Sequence, residues 1–303
     1  MAEHGPGWLA QAPALTRTGQ VLAVLLLAGM ALAAFLAFAP RALIYLPSRS
    51  DPIPLAGAAS AAGFEPWRNA SGGTIGYRSL PAPEDRRPPL AILLCHGNAG
   101  YALHRAVYAP VLRRAAPDRA VSVYLLEYPG YGARSGRPSQ TAFLRAAAEA
   151  LDQIPAGLPV LLLGESIGTG VVSGPAAAHP DRVAGLLLLT PFDSLASVAR
   201  HHYPLLPVGW LLRDPYPSDQ WLPKYRGPVA FILAAGDTIV PAQLGRRLHD
   251  AYAGPKKLLL ADSADHNDLL DALSPAAWRE ALEFLLRRPS GQPADLRLPR
   301  PWR

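Results

Sequence analysis

Residues 161–170 read LLLGESIGTG: three leucines stop at a glycine, a glutamate and a serine, and small residues follow. Near-continuous apolarity of this length suits a strand buried on both faces, and the residues after Ser166 suit a helix. A strand that turns at once into a helix forces the turning residue into a strained backbone conformation. Its neighbours two positions away must then be small enough for strand and helix to approach. Gly164 and Gly168 meet that requirement. The bend would expose the Ser166 hydroxyl and set the Ile167 N–H at a helix amino terminus, where negative charge is stabilised.

The same kind of run recurs on either side, at Ala91–Cys95, Val121–Leu126, Gly185–Leu189, Val229–Leu233 and Lys257–Leu260. Between the runs, 142–154, 168–178, 241–253 and 275–286 have helix-forming composition. Strands alternating with helices predict right-handed crossovers and a mostly parallel, doubly wound α/β sheet. The alternation breaks at 191–228, a proline-rich stretch read as a lid insertion. The segment 47–62, rich in Pro, Ala and Ser, is expected to be a connection without an element of its own.

In open parallel sheets, ligands bind beyond the carboxyl ends of the strands. Those ends carry His96-Gly97-Asn98 after the first run, Ser166 after the third, Asp237 after the fifth and Asp265-His266 after the last. A serine hydroxyl needs a base within hydrogen-bond reach and a group to orient that base. His266 is the chosen base and Asp237 the chosen acid, with Asp193 as runner-up. A second oxyanion donor beside Ile167 is expected from the loop at Asn98, with His96 fixing that loop. The remaining histidines are less well placed, and no metal-ligand spacing such as HExxH occurs.

Composition narrows the field. Lys and Arg outnumber Asp and Glu 29 to 23, and five arginines against one aspartate fall within 287–303, a stretch read as a disordered basic tail. No basic stripe with interleaved aromatics suggests nucleic-acid binding. The single cysteine, Cys95, rules out an intrachain disulfide framework and is expected to be an inert buried thiol. After an amino-terminal segment 1–20, residues 21–39 read VLAVLLLAGMALAAFLAFA without a charge. Nineteen helical residues span roughly 28 Å, the thickness of a bilayer's hydrocarbon core. An uncleaved transmembrane anchor is favoured over a secretory signal because the apolar stretch is long and Pro40 follows Ala37-Phe38-Ala39 directly. The expected placement is a bacterial inner membrane with the body outside the cytoplasm.

HGNAG at 96–100, EYPGYGARSGRPS at 127–139, GESIGTGVV at 164–172, TPFDSL at 190–195, DTIVP at 237–241 and DHNDLL at 265–270 together resemble the Bem46-like group of the α/β-hydrolase superfamily, related to the ABHD-type serine hydrolases. The resemblance spans about 41–286. It implies an α/β-hydrolase fold, catalytic Ser166, Asp237 and His266, an oxyanion hole from Asn98 and Ile167, and no obligatory cofactor. The expected activity is a membrane-anchored serine hydrolase that cleaves acyl or lipid-like esters through an acyl-serine intermediate. A serine peptidase, with Glu165 or Glu127 receiving a substrate amine, and a protein acyl-thioesterase remain alternatives of the same fold. A non-catalytic, membrane-tethered scaffold is the alternative of another class.

Overall fold

The computed structural model describes residues 16–287, without the side chains of 31–40 and of Trp210. Residues 1–15 and the tail from 288 lie outside the described residues, as does the tail expected there. Helix α1, Arg17–Ile44, runs for 28 residues. Among the described residues no helix is long and apolar enough to cross a membrane. The second half of the expected anchor has its side chains outside that set.

The body is built on one sheet of eight strands: β2 (Glu65–Arg68), β3 (Thr74–Ser79), β4 (Pro89–Cys95), β6 (Ala120–Leu126), β7 (Val160–Glu165), β8 (Gly185–Leu189), β9 (Val229–Ala234) and β10 (Lys256–Ala261). Their spatial order is β10-β9-β8-β7-β4-β6-β3-β2, and the six strands from β10 to β6 are parallel. Both faces are covered, which is why the strands read as continuous apolar runs. In β4, Ala91, Leu93 and Cys95 enter one core while Leu90, Ile92 and Leu94 enter the other. Helices α4 (Gln140–Gln153), α5 (Ile167–Ala178) and α9 (Ala242–Ala251) cover the first face through Phe143, Val171 and Leu244. Helices α2 (Pro52–Ala61), α3 (Tyr108–Ala115) and α11 (Pro275–Leu286) cover the second through Leu55, Leu112 and Trp278. The insertion holds three short helices, α6 (Leu195–His202), α7 (Val208–Leu211) and α8 (Ser218–Trp221); α10 (Leu269–Ala272) follows the loop of His266.

The connection expected over 47–62 is instead structured. Strand β1, Leu46–Pro47, pairs in parallel with β5, Ala99–Gly100, and α2 follows it. Two of the three prolines that suggested a loop, Pro52 and Pro54, fall in the first turn of α2, where a missing N–H costs nothing because that donor has no helical acceptor. Leu55 and Ala59, four residues apart, bury the helix's inner face.

Candidate active site

Ser166 sits between the end of β7 and the start of α5 with φ 54° and ψ −119°, a left-handed-side backbone that a non-glycine residue rarely adopts. The bend is possible because two glycines let strand and helix touch. A Cβ on Gly164 would stand 2.6 Å from the Gly168 carbonyl oxygen, and one on Gly168 would stand 2.0 Å from that of Cys95. Surrounding bonds pin the strained residue. The Ser166 N–H donates to the Leu189 carbonyl at 2.9 Å, and the Ser166 carbonyl accepts from the Thr169 N–H and hydroxyl at 2.9 and 2.6 Å.

The loops after β9 and β10 bring the other two side chains to this bend. His266 Nε2 lies 3.0 Å from Ser166 Oγ, and His266 Nδ1 lies 2.7 Å from Asp237 Oδ2. A carboxylate can only accept, so Nδ1 carries the proton and Nε2 is left to accept from the serine hydroxyl. The other Asp237 oxygen accepts from the Ile239 and Val240 N–H groups at 2.9 and 2.6 Å, which fixes the carboxylate's aim. Asp265 Oδ1 accepts from the His266 N–H at 2.6 Å and steadies the histidine's loop. Asp193, the runner-up acid, is held elsewhere: Arg247 Nη2 lies 2.8 Å from its carboxylate.

Asn98 and Ile167 share a cavity of about 550 Å³ with Ser166. Neither backbone N–H donates to a protein acceptor among the described hydrogen bonds. The remaining walls are mostly apolar, from Phe192, Leu195, Val198 and Leu206 of the insertion and Leu43 and Ile44 at the end of α1, with His202 and Thr238 as polar members.

Glu165, beside the serine, is engaged by Arg105, with Nη2–Oε1 2.5 Å and Nε–Oε2 2.8 Å. Nothing in the sequence marks this partner, which lies 60 residues away. Glu127 is 2% exposed and accepts from the Ala102 N–H at 3.1 Å. His96 is wholly buried, with Nδ1 2.8 Å from the Gly97 carbonyl and Nε2 3.6 Å from Glu127. Burial also pushes the Cys95 thiol up to about 12. Among the described residues, no group of three or more His, Cys, Asp or Glu is arranged to hold a metal ion.

Residues 92–303 match the alpha/beta hydrolase family. An uncharacterised protein of Mycobacterium tuberculosis is 38% identical over 261 residues, spanning 83% of this chain and 89% of its own. The lysophosphatidylserine lipase ABHD12 of Danio rerio is 30% identical over 186 residues, 55% of this chain and 48% of that one. Among solved structures, Est1E from Butyrivibrio proteoclasticus superposes with a TM-score of 0.55 at 17% identity, over 74% of this chain and 100% of that one, a likeness of fold.

Proposed function

The chain belongs to the alpha/beta hydrolase family, and from that premise we propose that it hydrolyses carboxylic esters of apolar acyl groups through an acyl-Ser166 intermediate. The observation that carries this is the unbroken hydrogen-bonded line from Asp237 through His266 to Ser166, opening on an apolar cavity. In the first half-reaction, His266 Nε2 takes the hydroxyl proton as Ser166 Oγ attacks the ester carbonyl, then gives it to the departing alkoxide. In the second, the same nitrogen takes a proton from water, and the resulting carboxylic acid leaves as Oγ regains its own. Asp237 holds the imidazole tautomer and offsets its charge when protonated. The Asn98 and Ile167 N–H groups stabilise the tetrahedral oxyanion, each worth on the order of 3 kcal/mol in the transition state.

The lining of the cavity favours an acyl chain over a polar group, and the similarity to a lysophosphatidylserine lipase agrees with a lipid-like ester. An aminopeptidase would need a free carboxylate for the substrate amine. Glu165 is neutralised by Arg105 and Glu127 is buried away from the cavity, so the ester reading is preferred. Residues 41–286 constitute the hydrolase body in this reading, with 191–228 as its lid. A membrane anchor over 21–39 belongs to the same proposal. Its support is the uncharged sequence of 21–39 and the outward exposure of Val21, Leu22, Val24 and Leu25, each about 60% exposed.

The test is a fluorophosphonate probe together with a series of esters from short to long acyl chain. Wild-type protein is expected to label and to turn over the longer esters better, and Ser166→Ala to do neither. Labelling that survives in Ser166→Ala would remove the nucleophile assignment, and a folded wild type inert to the whole series would favour a scaffold.

A further inference from the structure

The last four residues of α1 and the six that follow it do more than join the helix to the sheet. Residues 41–50 line one wall of the candidate site through Leu43 and Ile44 and bond to the loop that carries Asn98. The Leu46 N–H donates to the Asn98 carbonyl at 3.0 Å, and the Tyr131 hydroxyl donates to the same oxygen at 2.7 Å. In return, the Asn98 side chain donates through Nδ2 to the Ile44 carbonyl at 3.0 Å, the last residue of α1. One step along, the Ser48 N–H donates to the Gly100 carbonyl at 3.0 Å, completing the parallel pairing of Leu46 with Ala99 and Pro47 with Gly100. The pairing continues outward to Gly132, whose N–H reaches the Ser48 carbonyl at 2.9 Å and whose carbonyl accepts from the Ser50 N–H at 3.1 Å.

The same segment also grips the insertion. Arg41 donates to the buried Asp214 carboxylate through Nε at 2.8 Å and Nη2 at 3.3 Å, and the buried Tyr45 and Tyr216 hydroxyls lie 3.0 Å apart. Leu43 and Ile44 meanwhile supply one wall of the cavity.

We propose that residues 41–50 form a positioning strap that sets the Asn98 backbone N–H for the oxyanion, through the bonds Leu46 N–H to Asn98 carbonyl and Asn98 Nδ2 to Ile44 carbonyl. Asn98 lies in the short loop between β4 and β5, outside the paired residues of both strands. With its carbonyl held by two donors and its side chain by an acceptor, the residue is fixed at three points, and its backbone N–H has no protein acceptor among the described hydrogen bonds. The segment through which α1 enters the body is therefore part of the apparatus that stabilises the transition state. This inference rests on the serine-hydrolase reading above.

The experiment uses the full-length chain and a short, soluble ester. Leu46→Pro removes the strap's N–H while altering a half-exposed side chain, and Asn98→Ala removes the bond to Ile44 while keeping the backbone N–H. Ile53→Ala, on the exposed side of α2, is the control. Both strap variants are expected to lose at least tenfold in kcat with KM within about twofold of wild type, at a temperature where circular dichroism shows them folded. Ile53→Ala is expected to match wild type. An unchanged kcat in either folded variant would overturn the proposal, even if its melting temperature falls, and so would a raised KM with kcat intact. Ser166→Ala run in parallel separates the two ideas. If the wild type is inactive, or Ser166→Ala is active, the serine reading itself has failed; if those two behave as expected, only the strap is being judged.

Discussion

Gly168→Ala tests whether the bend at Ser166 depends on contact between backbones. The added methyl would stand 2.0 Å from the Cys95 carbonyl oxygen, 2.8 Å from its carbon and 2.8 Å from the His96 carbonyl oxygen. Even a tight contact needs about 3.0 Å, so helix and strand must separate by at least about 1 Å. Strand β4 cannot yield, because Cys95 is laddered to Leu126 on one side and Gly164 on the other. The displacement therefore falls on α5 and on Ser166 at its start. Overpacking of this kind costs about 1–3 kcal/mol, and for a domain of this size each kcal/mol lowers the melting temperature by roughly 2–4 °C. A shift of about 1 Å at a reacting atom costs roughly 10²-fold in rate, so the 3.0 Å line between Ser166 and His266 should be lost well before the fold is. Thermal unfolding and kcat on a short ester, measured well below the melting point, read both effects. A folded Gly168→Ala with wild-type kcat would refute the reasoning, because it would mean the serine's placement does not depend on this contact.

Asp237→Asn should lower kcat by about 10⁴-fold with little change in the fold, since an amide no longer holds His266 in the tautomer that accepts at Nε2; a loss under tenfold in steady-state kinetics would remove Asp237 from its assigned role. The buried Cys95 thiol, pushed up to about 12, is expected to resist iodoacetamide in the native protein from pH 7 to 9 and to react once unfolded in urea. Because the thiolate forms only near that raised value, native labelling that climbs with pH across this range would contradict it. Gly57→Ala, in the interior of α2 with nothing within 4 Å of the added methyl, should stabilise the protein by about 0.5–1 kcal/mol. A lower melting temperature in that variant would show that the helix interior is not as open as it looks.

The central strands were readable in sequence because burial on both faces leaves no polar residue to interrupt the run, as in 91–95 and 185–189. Strands β2 and β3 escaped notice for the opposite reason. They form the antiparallel edge, β2 is half exposed, and Gly76 interrupts β3 because a side chain there would meet the Leu125 carbonyl of β6. Helix α2 was hidden by prolines whose cost vanishes in a first turn. Around the site, the meeting of Ser166, Asp237 and His266 could be anticipated because all three follow strand ends on one edge of a parallel sheet. The Arg105 partner of Glu165 could not, since an ion pair across 60 residues carries no periodicity. Nor could the pairing of β1 with β5, because most of its bonds come from main-chain atoms that every residue type possesses.

Ser166 and His266 are 100 residues apart in the chain, and Ile44 waits 54 residues for Asn98. A polypeptide made amino end first, at roughly 5–20 residues per second, presents each of these groups seconds before its counterpart exists. Any product that stops short of residue 266 lacks the base assigned to Ser166 in the proposed mechanism. In the proposed mechanism, reactivity is thus conferred only once residue 266 has been made, 100 residues after the serine it serves.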